Sequence, residues 1–268
     1  MDWSKTKTIF IIVFAILNVV LYTLYLDRYS EAKNVEVLGD SSIDEKLSAD
    51  NIIYQEVVEE VEDLPYIQAE LKQFTPEDAP QENVQVTVRE DKYMTVTFNS
   101  PVTLEGAELE EAFTDFAEEV VHEGGSYSLW SISEDKQEAV FFQQVEGHPV
   151  YYSDNGKLTV HWNDAGEITH YEQSMYENVK PAEQLKDIVQ PMQVLNTLYQ
   201  QSQLQPNSVV EKMELGYSIF VQVSESTQML TPTWRVEATL EDGETRQYFV
   251  NAVKDGVIEP NREEDSTD

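Results

Sequence analysis

The sequence predicts an α+β protein: one N-terminal transmembrane helix, then an extracytoplasmic region of antiparallel sheets packed with helices. Three observations carry that reading. Residues 9–26 form an apolar run of 18 positions without an ionised side chain. Beyond it, short stretches alternate apolar with polar residues and are separated by Gly, Asn and Asp, the pattern of half-buried strands. Two longer stretches, near 104–121 and 181–200, repeat apolar residues every three or four positions, the period of a helix buried on one face.

A helix rises about 1.5 Å per residue, so the apolar run reaches across most of a hydrocarbon core roughly 30 Å thick. Lys5 and Lys7 precede it with Trp3 nearby, and Tyr22, Tyr25 and Tyr29 mark its far end. Cationic residues stay on the cytoplasmic side and aromatic rings favour the interfaces. Residues 1–8 therefore read as a cytoplasmic lead, 9–26 as a single membrane crossing, and the rest as extracytoplasmic. A cleaved signal peptide is the competing reading. Against it, the run is longer than the roughly 7 to 15 residues of a signal core and no Ala-x-Ala site follows.

Within the span, Ile11, Ala15, Asn18, Tyr22 and Tyr25 recur at alternating intervals of four and three, which places them on one helical seam. Asn18 is the only amide there. An amide in lipid gains about 0.6 to 2 kcal/mol from a neighbouring helix, so this seam is the candidate partner-binding site. A tolerated Asn without a partner is the alternative.

Charge narrows the partners. The chain holds 51 acids and 17 bases for a net charge of −34, and all but one of the acids follow the span. Such a body repels nucleic acid and anionic headgroups. Most of the charge reads as solvated surface; its confinement to the external part also fits an alkaline or saline exterior. With no cysteine, disulfides, thiolate metal sites and a cysteine nucleophile are excluded.

Along the chain, residues 27–83 read as an acidic juxtamembrane arm and linker. Ile43, Leu47, Ile52, Val57 and Val61 trace a helical stripe that predicts a helix over 43–62, stopped by Pro65. Val84, Val86 and Val88, then Met94, Val96 and Phe98, predict a hairpin turning at 90–92. A helix over 104–121 ends at Gly124-Gly125, and strands follow at 126–132, 139–145 and 150–153. Asp154-Asn155-Gly156 and Asp164-Ala165-Gly166 predict tight turns. Pro181 opens a second helix kinked at Pro191, followed by strands at 209–223, 233–240 and 245–252 and an acidic tail at 259–268. Helix followed by antiparallel strands thus occurs twice. One reading is two related α+β units, at 84–180 and 181–258; chance likeness is the other.

Catalytic patterns are missing. The four histidines, at 122, 148, 161 and 170, lack His-Glu-x-x-His spacing, and no nucleophile elbow or phosphate-binding glycine loop occurs. His161 and His170 face each other across a turn, a pair more typical of surface polarity than of a metal site. Asp154-Asn155-Gly156 lacks the spaced ligands and closing Glu of a calcium loop. The residues therefore single out no catalytic residue, cofactor or metal, while paired carboxylates stay open among 51 acids.

The opening Met1-Asp2-Trp3-Ser4-Lys5-Thr6-Lys7-Thr8-Ile9-Phe10-Ile11, with Leu17-Asn18 inside the span, resembles the YycI (WalI) family. Leu47-Ser48-Ala49-Asp50-Asn51-Ile52 with Tyr54, Tyr66-Ile67 before Phe74, Trp234, and Tyr248-Phe249-Val250-Asn251-Ala252 agree with it. The resemblance implies a non-enzymatic regulatory protein of the YycG/YycF (WalK/WalR) two-component system. It implies a complex with YycH that modulates the sensor histidine kinase YycG (WalK), and through it cell-wall metabolism, by transmembrane helix contacts. It also implies external domains similar to those of YycH. Self-association stays open. An anchored binding module for an envelope ligand or peptide is the alternative function, and an anchored envelope hydrolase a more distant one.

Overall fold

A computed structural model describes residues 13–14, 17–18, 21–22, 43–54, 61–104, 108–254 and 256–258. Residues up to Lys46 and those from Leu47 onward make two units. The second unit is mixed α+β and mostly sheet. Among the described residues, no helix is long and apolar enough to cross a membrane; most of the run at 9–26 lies outside them.

The first helix, α1, covers Ile43–Ala49 and ends well short of residue 62. Asn51 adopts a left-handed φ of 54°, which Asn tolerates and which stops the helix. Ile53–Tyr54 then form β1, paired in parallel with Val209–Val210. Strand pairing overrides the helical stripe here, and Val57 lies outside the described residues. Asp50 fixes the join: its carboxylate accepts the Tyr199 hydroxyl at 2.8 Å and its carbonyl accepts the Asn207 N–H at 2.9 Å. Leu64–Leu71, read from sequence as part of the linker, is strand β2. Pro65 therefore sits in a strand instead of stopping a helix.

Two sheets follow in chain order. The hairpin β3 (Val84–Arg89) and β4 (Tyr93–Thr103) turns at 90–92 as its alternation predicts. With β5 (Tyr127–Ser133), β6 (Glu138–Val145), β8 (Lys157–Trp162) and β9 (Glu167–Gln173) it builds an antiparallel sheet in the order β3-β4-β9-β8-β6-β5, and β7 (His148–Pro149) extends β6. Helix α2, Leu109–Val120, lays Phe113, Phe116 and Ala117 on this sheet against Met94, Val96, Phe141 and Tyr171. The other sheet holds β1, β2, β10 (Tyr176–Lys186), β11 (Val209–Gln222), β12 (Thr227–Thr239), β13 (Thr245–Asn251) and β14 (Gly256–Ile258). Long β12 pairs with β2 over 227–230 and with β13 over 233–239.

Three expectations fail for identifiable reasons. Residues 181–186 are strand, because among the described residues β10 pairs only with β2 and Pro181 on such an edge breaks no central ladder. The second helix, α3, is Pro191–Gln200: Pro191 stands in its first turn, where a missing N–H is harmless, and does not kink it. Residues 150–153 are not a strand paired across the 154–156 turn. Val150 instead bridges to Tyr217, and β8 pairs with β6 and β9.

The chain crosses from one sheet to the other through Ser174–Met175, and Tyr176 locks the crossing. The Gln143 side chain acts as a strand partner for it: Gln143 Oε1 accepts the Tyr176 N–H at 2.7 Å and Gln143 Nε2 donates to the Tyr176 carbonyl at 2.9 Å. The Tyr176 hydroxyl donates to Gln228 Oε1 at 2.6 Å and meets Ser153 Oγ at 3.0 Å. All four residues are buried. A second join is steric. Gly216 on β11 lies so close to Tyr151 and the Pro149 carbonyl that any Cβ there would overlap them.

Two outcomes follow. Tyr176→Phe strands the buried Gln228 oxygen and lowers unfolding free energy by about 1 to 3 kcal/mol. Gly216→Ala forces the Tyr151 segment off β11 and costs about 3 kcal/mol by overpacking. Urea unfolding of each variant against the parent chain measures both, and an unchanged midpoint for either refutes its assignment.

Candidate functional site

Of the predicted seam, Asn18 and Tyr22 are described, and both are helical and exposed. At a spacing of four they share one helix face. Asn18 Nδ2 donates to the Phe14 carbonyl, one turn earlier, at 2.8 Å. A side-chain amide has two donor hydrogens and an acceptor oxygen. The bond to Phe14 therefore engages one of these within the helix itself and reduces what lipid exposure costs. Ile11, Ala15 and Tyr25 lie outside the described residues.

His161 and His170 are cross-strand partners on β8 and β9, as their spacing about the turn predicts. Their rings stack with centroids 4.4 Å apart and planes 9° from parallel. Ring lone pairs lie in the ring plane, so stacked imidazoles do not aim at one point between them. Burial, then the neighbouring His161, holds the His170 pKa below its ordinary value. Among the described residues, no group of three or more His, Asp or Glu is placed to hold a metal ion.

A different constellation, which no sequence motif announces, joins the two sheets. Trp130 on β5 is covered by the Arg235 guanidinium of β12, 4.2 Å from the ring centroid. Arg235 Nη1 is 2.9 Å from Glu214 Oε2, and Nη2 is paired with Glu237. Phe142, Tyr151 and Tyr152 surround Trp130, and Phe249 of β13 closes on Tyr152 at 4.7 Å. Arg235 Nε and the Tyr151 hydroxyl are buried without hydrogen-bond partners among the described residues. Burial, then the Glu214 charge, raises the Tyr151 pKa. Around this cluster opens a cleft of about 670 Å³, whose walls include Trp130, Met213, Leu215, Trp234 and Glu237.

The chemistry of the cleft is that of a holder. The Arg235 guanidinium is stacked on a ring and paired with Glu214 and Glu237, and Glu214 is shared with Lys212 at 2.6 Å, so the cations lining the cleft are fixed by its carboxylates. His148 Nδ1 lies 3.3 Å from the Leu215 carbonyl, which can only accept, and the His148 ring meets the Tyr217 ring edge-on at 6.1 Å. Trp234, visible in the sequence as a strand aromatic, is 1% exposed and donates its indole N–H to the Val189 carbonyl at 2.8 Å, fastening the α3 approach to β12.

Fold and site together define a two-sheet, helix-backed module with a cleft at Trp130 and Arg235. The YycI family model matches residues 32–253, and the chain belongs to the YycI family, a family of regulatory proteins. Several solved structures resemble it, three of them as follows. An uncharacterized protein from Eubacterium rectale has 12% identity and a TM-score of 0.49 over 77% of this chain and 89% of its own. The YpeB C-terminal domain of Bacillus megaterium has 13% identity and a TM-score of 0.41 over 72% and 88%. YycH from Bacillus subtilis has 14% identity and a TM-score of 0.38 over 72% of this chain and 51% of its own. No curated protein matches the chain.

The His170 shift has a definite sign. A folded pKa below the unfolded value near 6.5 means that protonation favours the unfolded chain. Its effect is absent above that value and grows as pH falls through it. Replacing His170 by Gln should therefore flatten part of the loss of thermal stability between about pH 7 and pH 5. Melting temperatures across that range that run parallel for parent and variant contradict the assignment.

Proposed function

We propose that this chain is a non-enzymatic regulator of a membrane sensor histidine kinase, YycG (WalK), that controls cell-wall metabolism. It sits in the cell membrane with its N-terminus cytoplasmic, crosses once at 9–26, and acts through transmembrane helix contacts in a complex with YycH. The observation that carries this reading is membership of the YycI family over residues 32–253. The uninterrupted apolar run ahead of the matched region supports the anchor. Kinship of the 84–180 and 181–258 regions belongs to the same proposal, supported by one helix accompanying each large set of strands.

Control of this kind needs no chemistry in the regulator. A kinase whose signalling states differ in the rotation or tilt of its spans shifts toward whichever state a neighbouring helix binds better. A differential contact of about 1 to 3 kcal/mol changes its output several-fold. The Asn18–Tyr22 face, with Ile11, Ala15 and Tyr25 on the same predicted seam, is positioned in sequence to supply that contact.

The cleft at Trp130 and Arg235 favours one second reading, an anchored binding module for an envelope ligand or peptide, with the helix as a tether. Exchanging residues 9–26 for an unrelated apolar span separates the two. A tether survives the exchange with kinase output unchanged, whereas a seam-driven regulator loses its effect. Within the seam, Asn18→Leu should lower the kinase recovered with the chain from mild detergent by about 3- to 30-fold, the equivalent of one interhelical polar contact. Equal recovery removes Asn18 from the interface.

A further inference from the structure

The cleft at Trp130 and Arg235 is bordered by two strand edges that no described strand covers. Among the described residues β5 pairs with β6 alone. Strand β11 is paired along its length with β12, and on its other side meets β1 only at Val209–Val210 and Val150 only at Tyr217, so residues 211–214 lie open between those contacts. Successive side chains of a strand point to opposite faces, so a wall made of consecutive residues presents the strand's edge. Three such residues of β5, 128–130, and four of β11, 212–215, line the cleft. Each strand is also bulged there, β5 between Leu129 and Ser131 and β11 between Val210 and Lys212, and the first bulge takes Trp130 out of the β6 ladder.

The polar groups of the cleft lack an acceptor. Tyr151 is 1% exposed and the Arg235 side chain 11%, yet the Tyr151 hydroxyl and Arg235 Nε have no hydrogen-bond partner among the described residues. Both can donate, and a buried donor without an acceptor is costly to keep. The charges, by contrast, are complete. Lys212 and Arg235 share Glu214, and Arg235 also takes Glu237, so two cations meet two carboxylates in a chain of net charge −34. An ionised ligand finds no counter-ion there without breaking a pair, whereas an uncharged acceptor does not disturb them. At about 670 Å³ the cleft lies within the roughly 300 to 1,000 Å³ of small-ligand sites.

We propose that this cleft binds a short extended peptide of uncharged residues, laid along the open edges of β5 and β11 with a backbone carbonyl directed at Arg235 Nε and the Tyr151 hydroxyl. The proposal rests on the reading of the cleft as the site of a binding module, and it is independent of the transmembrane seam. A bare strand edge offers N–H and carbonyl groups at the strand's rise of about 3.3 Å per residue, and a peptide backbone returns both at the same spacing. A glycan has no such repeat. Small apolar side chains of the peptide meet Leu129, Pro149 and Leu215 in the wall. A second copy of the chain would set one body of net charge −34 against its like.

The test uses the full chain in detergent micelles, titrated calorimetrically with three probes: an acetylated, amidated peptide alternating alanine and valine, the same peptide N-methylated at alternate residues, and an N-acetylglucosamine oligosaccharide. The first should bind and slow amide exchange at 128–130 and 211–214. The second keeps the side chains but loses the N–H groups on one side of the strand, and should bind about tenfold more weakly. Gln144→Trp, at an exposed residue of the cleft wall, should abolish binding with the melting temperature unchanged. Tyr151→Phe should weaken the peptide about three- to tenfold without lowering the melting temperature of the free chain, since the lost hydroxyl has no partner there. A lower melting temperature for that variant, equal binding of the N-methylated peptide, or a dimer that Gln144→Trp dissolves would each overturn the proposal, the last assigning the cleft to a second copy. Oligosaccharide binding that Gln144→Trp abolishes, with no peptide binding, keeps the binding module and overturns the peptide; no binding by any probe overturns both.

Discussion

The hydrogen-bonded knot at Tyr176 is the constraint on which the two-sheet architecture depends. The chain passes from one sheet to the other through two residues, and a short crossing leaves backbone groups that neither sheet's ladder satisfies. Gln143 meets this need by presenting a side-chain amide to the Tyr176 N–H and carbonyl as a strand would. The same glutamine gives its backbone to Gly156 and Val150, so one residue ties β6, the 154–156 turn and β10 together. Gly156, at a φ of +73°, leaves room for the Tyr176 ring; a side chain there would strike it. A buried polar network satisfied at each of these atoms specifies one arrangement of the two sheets in a way that apolar packing alone does not.

Net charge makes that specificity matter. A body with so many carboxylates is under self-repulsion throughout, and no disulfide restrains it. Cohesion comes from burial: the cluster of Met94, Phe113, Phe141 and Tyr171 beneath α2, and the cluster of Ile67, Tyr217 and Leu230 in the other sheet. Where cations occur inside, they are consumed in fastening. Arg235 spends its guanidinium on Glu214, Glu237 and the face of Trp130, joining β12 to β5. Trp130 and Arg235 come from different sheets, so this clamp and the Tyr176 knot resist sliding at two separate places.

The sequence makes local pattern legible and hides long-range pairing. The hairpin at 84–103, the turn at 164–166 and α2 are all visible, because period and turn residues act over a few positions. Strand β2 is not, since Leu64-Pro-Tyr-Ile-Gln-Ala-Glu-Leu71 lies between acidic stretches and becomes a strand only through partners more than a hundred residues away. The proline errors share one cause. Pro181 and Pro191 fall in an apolar stripe of helical period, whereas the edge position of one and the first-turn position of the other depend on which strands are present. The Arg235–Trp130 clamp had a faint signal, an arginine inside a β-branched and aromatic stretch, where a charge needs a partner. The identity of that partner is set by register between sheets and cannot be read locally.

Regulation through a seam, as proposed, would divide labour between the ends of the molecule. Helix contacts in lipid are individually small because lipid and leucine are equally apolar, so a seam that biases a kinase state by about 1 to 3 kcal/mol must be held at high local concentration to act. In the proposed arrangement a folded body that also held the partner would supply this: once one contact formed, the second would be intramolecular, and its effective concentration would rise without any added contact in the membrane. On that proposal the two-sheet body would select the partner, and the span would bias the state the partner adopts.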